Sequence, residues 1–255
     1  MSNPILETRG LTKVYNMEQE NEFEALRGID FKAEEGEFIC VMGPSGSGKT
    51  TFINNISTLD FPTRGKVFID GAEIRSMTDN EIGRFRSRTL GFVFQEFNLL
   101  NTHTLYENIA MPLALARTKK AEVDERVRAM AGQMDIEGIL NKYPGECSGG
   151  QRQRAAICRA LIMRPKIIIA DEPTGNLDRA NSSEFLAMID RLNKEQRVTV
   201  IMVTHDPLTA SYSSRLVYIK DGVIETSIER NQMSQKEYFE KITEINASES
   251  RGFLR

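Results

Sequence analysis

The chain contains no tryptophan and only three cysteines among its 255 residues. Cys40, Cys147 and Cys158 lack the close spacing of a metal-binding motif. An odd number of cysteines does not suit a disulfide framework either. We therefore expect free thiols, which are typical of proteins from a reducing compartment.

An excess of positive charge and a long hydrophobic run are also missing. The net charge is −3, so no basic surface indicates nucleic acid as the main partner. The N-terminal sequence MSNPILETRG has no apolar core of the signal-peptide kind. The best candidate for a membrane span, residues 109–116, is too short and contains Pro112. We expect that the chain does not cross a bilayer by itself.

The composition is that of an ordinary globular protein, with 40% hydrophobic and 27% charged residues. A length of 255 residues suits one large α/β domain or a domain with a subdomain. Apolar runs predict buried strands, and helix-compatible runs separate them. The predicted strands that matter most lie at residues 38–42, 90–94, 166–171 and 198–203.

The strongest motif is GPSGSGKT at residues 43–50, which matches the phosphate-loop pattern between a predicted strand and a predicted helix. Its glycines allow successive backbone N–H groups to converge on an anion. Lys49 is expected to neutralise the terminal phosphates, and the Thr50 hydroxyl is expected to ligate Mg²⁺. A Gly/Ser turn that binds nothing is the alternative, but the flanking elements favour a nucleoside triphosphate site.

Four polar residues lie at the end of a predicted strand or just after it. One carboxylate of Asp171 and Glu172 can hold the hydration shell of Mg²⁺, and the other can orient or deprotonate water. Gln95 stands where α/β folds place ligand-facing groups, and His205 offers a donor to phosphate. Ordinary loop positions are the alternative, although for the two acids the phosphate loop upstream favours the functional interpretation.

A second glycine-rich segment, CSGGQ at residues 147–151, precedes a helix predicted at residues 152–163. Ser148 suits the N-cap position, and Gly149 and Gly150 permit close approach to the start of the helix. The segment is therefore a second potential anion site. One nucleotide does not need two phosphate cradles, and a plain helix cap is the alternative.

The region from residue 97 to residue 140 changes character, because apolar residues recur there at helical spacing and no strand pattern interrupts them. We expect a helical insert in the α/β core. Phe97, Leu99 and Leu100 are expected to pack under this insert, and a partner surface is the less favoured alternative.

Two further predictions concern Tyr15 and the C-terminal tail. Spacing alone favours a half-buried strand position for Tyr15 over an adenine-stacking face. Ser234 and Glu237 have the spacing of a capping box. The helix that they begin carries an apolar stripe that we expect to pack on the domain, formed by Tyr238, Ile242 and Ile245.

Together these motifs resemble the nucleotide-binding subunit of an ABC transporter. The resemblance covers roughly residues 4–229, and CSGGQ discriminates most because phosphate loops are widespread. It is carried by GPSGSGKT, Gln95, CSGGQ, IIIADEP, TGNLD at residues 174–178 and His205. It implies an α/β P-loop ATPase domain over residues 1–229 with a RecA-like core, an N-terminal antiparallel β subdomain and a helical subdomain inserted at about residues 96–162. Residues 230–255 would form a helical tail.

The resemblance also implies roles for individual residues. Glu172 resembles the catalytic base, His205 the sensor of the γ-phosphate, and Gln95 a third catalytic residue. Mg²⁺ would be held by Thr50, Gln95 and, through water, Asp171. ATP would be bound by Tyr15 as the stacking aromatic and by Gly43, Ser45, Gly46, Ser47, Gly48, Lys49, Thr50, Thr51, Ser148, Gly149, Gly150, Gln151 and Asp178.

In this family two subunits pair head to tail. The signature segment of each subunit, here CSGGQ at residues 147–151, caps ATP held by the other. The resemblance therefore implies a homodimer, with Asp178 coupling its two sites. It also implies a separate transmembrane permease that docks near residues 97–100 and the helical insert, at the cytoplasmic face of the membrane. Cys147 stands where the signature usually has leucine. Because this change keeps an apolar side chain but loses volume, we expect looser packing with activity retained.

Several segments resemble one group within the family, which includes macrolide exporters, lipoprotein-release ATPases and antimicrobial-peptide resistance transporters. These segments are DEPTGNLD, GFVFQEFNLL and the Glu-rich insert before Ala25. The tail is most similar to bacitracin- and lantibiotic-resistance ATPases of Gram-positive bacteria. A non-transporting ATPase of the cell-division type stays open as an alternative. A soluble ABC protein of translation or DNA repair is disfavoured, because those carry two cassettes or a long coiled-coil insert.

Overall fold

The computed structural model describes residues 4–251, with side chains through residue 247, and within that range the chain forms ten strands and eight α-helices. The strands are β1 (Leu6–Tyr15), β2 (Phe23–Ala33), β3 (Phe38–Met42), β4 (Arg64–Ile69), β5 (Ala72–Glu73), β6 (Leu90–Phe94), β7 (Ile167–Asp171), β8 (Thr199–Val203), β9 (Arg215–Lys220) and β10 (Val223–Glu229). The helices are α1 (Lys49–Ile56), α2 (Asp79–Thr89), α3 (Leu105–Leu115), α4 (Lys120–Gln133), α5 (Gly149–Leu161), α6 (Arg179–Gln196), α7 (Pro207–Ala210) and α8 (Gln235–Arg251).

The larger sheet has the strand order β10-β9-β3-β8-β7-β6. Strands β9, β3, β8, β7 and β6 pair in parallel, and β10 joins the edge antiparallel to β9. Every residue of β3 and β8 is buried, because helices and the second sheet cover both faces of these strands. The α/β fold and its apolar central strands are therefore confirmed.

The smaller sheet is antiparallel, with the order β2-β1-β4-β5. Its buried face shares an apolar cluster with α1, and the Phe31 and Phe52 rings meet edge to face at 5.3 Å between centroids. This packing fixes α1, the helix that follows the phosphate loop.

The chain between β6 and β7 forms α3, α4, α5 and two turns of 3-10 helix, and this described stretch contains no strand. Buried side chains such as Leu113, Val127 and Ile157 join the helices in a cluster that continues under the larger sheet to Cys40. The insert is therefore helical, as predicted. Its boundary as a separate subdomain at residues 96–162 stays a prediction.

The C-terminal helix α8 packs against the same core. Tyr238 and Ile242 are buried, and the Tyr238 hydroxyl donates a hydrogen bond to the Ile228 carbonyl over 3.1 Å. Ser234 and Glu237 form the predicted capping box. The stripe thus packs on the domain, as expected. Among residues 4–251, none of the helices combines the length and apolar character that a membrane span requires.

Candidate functional site

Four parallel strands of the larger sheet end at the same level. The pairing register places their last or next-to-last residues in one row, namely Val41, Val203, Asp171 and Phe94. The phosphate loop, Gln95, Glu172 and His205 follow these row positions within two residues. The sequence-predicted residues are therefore brought together at the carboxyl edge, where α/β sheets bind ligands.

The phosphate loop needs glycine at two positions for steric reasons. A Cβ on Gly43 would lie 1.9 Å from the Ile219 carbonyl oxygen, and one on Gly48 would lie 2.5 Å from that of Ala25. Gly43, Gly46 and Gly48 all have positive φ, at 150°, 77° and 100°. The loop therefore adopts the conformation that its glycines predict.

The interior of this loop fits an anion. The Ser47 hydroxyl is buried and, among the described residues, has no hydrogen-bond partner. Helix α1 begins after Gly48 without a side-chain cap, so its first N–H groups have no side-chain acceptor. The unpartnered Ser47 hydroxyl and the first N–H groups of α1 are hydrogen-bond donors that phosphate oxygens can accept from.

Lys49 lies beneath the loop. Its ammonium donates to the carbonyl oxygens of Gly43 at 2.9 Å and Pro44 at 2.7 Å. Burial lowers the pKa of Lys49, and the charges of Glu172 and Asp171 oppose this effect. The positive charge is thus already positioned beside the loop. Other predicted loop residues lie at its outer surface: Ser45, Gly46 and Thr50 are exposed, and Thr51 is half-buried.

The acid pair supplies the opposite charge. Burial raises the pKa of Asp171, the neighbouring Glu172 charge adds to this rise, and Lys49 opposes it. Within the described part of the chain, no group of three or more His, Cys, Asp or Glu side chains could hold a metal ion alone. Mg²⁺ does not require such a group, since it takes one or two carboxylates and completes its shell with phosphates and water. The oxygens of Thr50, Gln95 and Asp171 fit that donor set.

Glu172 has a strained backbone and contacts His205. Its φ is +46°, unusual for a residue with a side chain, and its N–H donates to the Val203 carbonyl at 3.0 Å. Oε1 of Glu172 and Nδ1 of His205 are 2.9 Å apart. The His205 side chain is 76% exposed and that of Glu172 is 20% exposed. Strain of this kind is concentrated at functional sites, and here it coincides with the predicted base.

Ser148 of the signature segment caps the N-terminus of α5. The Ser148 hydroxyl accepts from Gln151 N at 3.3 Å, and Gln151 Oε1 accepts from Ser148 N at 3.0 Å. Asn181 approaches this segment closely, since a Cβ on Gly150 would lie 2.5 Å from its Oδ1 atom. The plain-cap alternative is therefore observed, while a contact to a partner's nucleotide stays a prediction.

Asn181 also holds Asp178, the N-cap of α6. It donates to the Asp178 carboxylate through its backbone N at 2.9 Å and its Nδ2 at 2.7 Å. Asn181 was not predicted from the sequence, although its spacing from Asp178 is that of a side-chain cap.

Tyr15 is half-buried, as its spacing predicts. Its hydroxyl donates to Oδ2 of Asp60 at 3.0 Å, and the Lys13 ammonium lies 5.0 Å from its ring centroid. Burial raises the pKa of Tyr15. A stacking role toward adenine stays a prediction.

The expected partner surface at residues 97–100 needs a correction at Phe97. Its ring is only 6% exposed, and the Arg152 guanidinium covers it at 5.7 Å from the centroid. Leu99 is half-buried, whereas Leu100 is 44% exposed. The prediction that these side chains pack under the insert is thus confirmed for Phe97 and wrong for Leu100. Phe97 does not offer its ring to a partner.

A phosphate loop, a half-buried lysine and an acid pair at one edge of a parallel sheet define a P-loop nucleoside triphosphatase. A family model described as ABC transporter matches residues 26–175. The chain belongs to this family, and it is an ATP-binding, ATP-hydrolysing subunit of the ABC type.

Known relatives extend over nearly all of the chain. It is 44% identical over 238 residues to the bacitracin export ATP-binding protein BceA of Halalkalibacterium halodurans, covering 93% of this chain and 94% of that protein. Identity is also 44%, over 87% of this chain but 31% of the relative, to the macrolide export ATP-binding/permease protein MacB of Syntrophobacter fumaroxidans. A dimeric post-hydrolysis structure of the ATP-binding cassette MJ0796 with ADP and Pi superposes with a TM-score of 0.81. It is 38% identical and covers 88% of this chain and 98% of the other.

Proposed function

We propose that this chain uses ATP hydrolysis to drive a separate transmembrane permease that exports or senses an antimicrobial peptide of the bacitracin kind. The main support is the convergence of Lys49, Glu172 and His205 at one sheet edge in a chain that BceA matches almost end to end. The relative BceA is named as an export ATP-binding protein and is covered to 94% by this chain, which supports a permease on another chain. The subunit would therefore act at the cytoplasmic face of the membrane. The relatives named above are transport proteins, which favours this proposal over the cell-division alternative.

In this proposal the phosphate loop and Lys49 bind the β- and γ-phosphates of ATP. Thr50, Gln95 and Asp171 would hold Mg²⁺ with the phosphates. When bound, Mg²⁺ would neutralise phosphate charge and stabilise the leaving group. Glu172 would accept a proton from the attacking water, and His205 would donate to the γ-phosphate.

The active form would be a head-to-tail homodimer. The signature helix α5 presents Ser148 as an exposed residue, while Gly149, Gly150 and Gln151 are half-buried beside it. These groups are separate in sequence from this chain's own phosphate loop, and the matched cassette MJ0796 is dimeric. A second copy would bring the signature of one subunit to the phosphates held by the other.

The permease is proposed to dock in an apolar groove of about 400 Å³ between the larger sheet and the helical insert. Two of its apolar residues are unusually exposed, since Leu115 is 78% and Leu59 is 45% accessible. Exposed apolar surface of this kind marks interaction sites. The apolar lining includes Leu59, Phe92, Phe94, Met111, Leu115 and Met163.

Replacing Leu115 with Asp is expected to release the permease without impairing ATP binding, because the side chain is exposed in the groove and far in sequence from the phosphate loop. Burying an unpaired carboxylate at an interface is costly, so recovery of the permease should fall about tenfold or more. Val223→Asp, on a β10 residue that is 41% exposed, is the matched control and should retain the permease. Equal recovery with both variants would place the permease elsewhere.

The decisive test of the proposed function is affinity purification of the tagged subunit from native membranes. A co-purifying permease with a large extracellular domain, together with peptide sensitivity of the deletion strain, would support the proposal. A small permease tied to cell division would transfer the function to envelope regulation, and the ATPase assignment would stand.

A further inference from the structure

The turn at residues 95–98 contains Gln95, and its second half has an unfavourable backbone conformation. Phe97 and Asn98 have φ values of +61° and +47°, so two consecutive residues with side chains occupy the left-handed region. Such a conformation persists only where surrounding contacts impose it. Gln95 belongs to the same turn, which the Phe97 N–H closes by donating to the Phe94 carbonyl at 3.0 Å. Contacts that impose the conformation of Phe97 and Asn98 therefore also constrain the backbone of Gln95.

Arg159 of α5 makes the contacts that fit this requirement. Its guanidinium donates to the Phe97 carbonyl at 2.7 Å and to the Asn98 carbonyl as well. Among the described residues it forms no ion pair, and burial lowers the pKa of Arg159. A half-buried cation without a carboxylate partner is stabilised by hydrogen bonds to neutral acceptors, and here two main-chain oxygens of the turn accept from it.

The same helix contacts the turn and the preceding strand at two further points. Arg152, two helical turns before Arg159, lies over the Phe97 ring. A Cβ on Gly91 of β6 would lie 2.6 Å from the Ala160 carbonyl oxygen, so α5 and β6 are in direct backbone contact. Helix α5 therefore contacts both the strand that ends before Gln95 and the turn that contains it.

We propose that Arg159 is a positioning residue for the nucleotide site: it holds the left-handed turn at Phe97 and Asn98, and thereby directs Gln95 toward the metal-bound phosphates. This inference rests on the metal-binding role proposed above for Gln95. Ser148 of the signature is the N-cap of α5, so one helix carries both the signature and the residue that positions Gln95. Contacts from the 175–176 segment also reach Gln95, including a bond from Asn176 Nδ2 to its carbonyl at 3.1 Å.

The test compares Arg159→Met with Arg126→Met, each in the full chain. Arg126 is the matched control, because its guanidinium also donates to a main-chain carbonyl of this region, that of Ile162, but does not contact the turn. The measured quantity is the ratio of the ATP affinity with Mg²⁺ to the ATP affinity with EDTA, which we call the Mg²⁺ gain. It is determined in a Glu172→Gln background that prevents turnover. Loss of a residue that orients a metal ligand typically weakens metal binding about tenfold or more.

We expect Arg159→Met to reduce this gain about tenfold while the affinity in EDTA stays within about twofold of the parent. Hydrogen exchange of residues 95–100 should accelerate in the same variant. Arg126→Met should change neither quantity even if its melting temperature falls. Arg159→Lys, which keeps the charge and a donor, should recover part of the gain.

Three other outcomes separate the role of Arg159 from the proposed role of Gln95 on which it rests. If Gln95→Ala loses the Mg²⁺ gain but Arg159→Met and Arg159→Lys keep it, the role of Arg159 is refuted and that of Gln95 stands. If Gln95→Ala keeps the gain, the metal-binding role of Gln95 fails and the inference fails with it. Equal losses in Arg159→Met and Arg126→Met would reduce Arg159 to a structural residue.

Discussion

Glu172→Gln is expected to abolish most ATP turnover, leave ATP binding intact and trap an ATP-bound dimer. Glutamine has nearly the shape of glutamate, and its amide oxygen can still meet His205 Nδ1, which lies 2.9 Å from Oε1 in the parent. The amide cannot accept a proton from water. Removing a general base lowers turnover by about 10²–10⁴-fold, or roughly 3–5 kcal/mol of transition-state stabilisation.

Phosphate release, nucleotide affinity and size-exclusion chromatography with ATP measure the three parts of this prediction. Glu73→Gln is a suitable control, because Glu73 pairs with Lys66 in the smaller sheet and takes no part in the site. It should leave turnover unchanged. Normal turnover in Glu172→Gln would remove Glu172 from the role of base, whatever the dimer does.

The convergence of the site residues could be predicted from the sequence because two simple constraints determine it. Apolar runs such as residues 38–42 can be satisfied only as strands buried on both faces. Parallel strands that are covered by helices then end at one edge, so a polar residue after each strand must lie there. Gln95, Asp171 and His205 were predictable for this reason.

Backbone strain and long-range contacts were not predictable. A glycine in the sequence predicts a left-handed backbone conformation. Glu172 and Phe97 adopt this conformation although they have side chains, because their surroundings impose it. Arg159 is a polar residue on a helix whose partners lie 61 and 62 residues earlier in the chain. No spacing rule connects such positions, because tertiary packing alone brings them together.

The groove proposed for the permease could not be predicted from the sequence either, for a different reason. Its exposed apolar residues, such as Leu59 and Leu115, come from separate elements, and each alone is an unremarkable surface position. Phe97 was predicted as an interface residue because it belongs to a contiguous apolar run, but Arg152 covers its ring. A surface assembled from several elements becomes visible only when the fold is known.

Lys49→Ala is expected to weaken ATP binding without weakening the fold. The Lys49 ammonium is the cation that the structure places beside the phosphate loop, where it bonds the Gly43 and Pro44 carbonyls. A hydrogen bond to a charged group contributes about 1.5–3 kcal/mol, so affinity should fall on the order of 10–100-fold. The acids Asp171 and Glu172 add to this loss, because without Lys49 they repel the phosphates with less compensation.

The melting temperature of the nucleotide-free protein separates this effect from unfolding. Because burial lowers the pKa of Lys49, the folded state disfavours its charged form, and removing that charge should cost the fold little. Lys66→Ala, at an exposed ion pair with Glu73, is the control and should retain full affinity. Undiminished ATP affinity in Lys49→Ala would contradict the proposed phosphate contact. A clear fall in the melting temperature of Lys49→Ala alongside the loss of affinity would instead assign Lys49 to the fold. Its bonds to the two carbonyls would then stabilise the protein even without nucleotide.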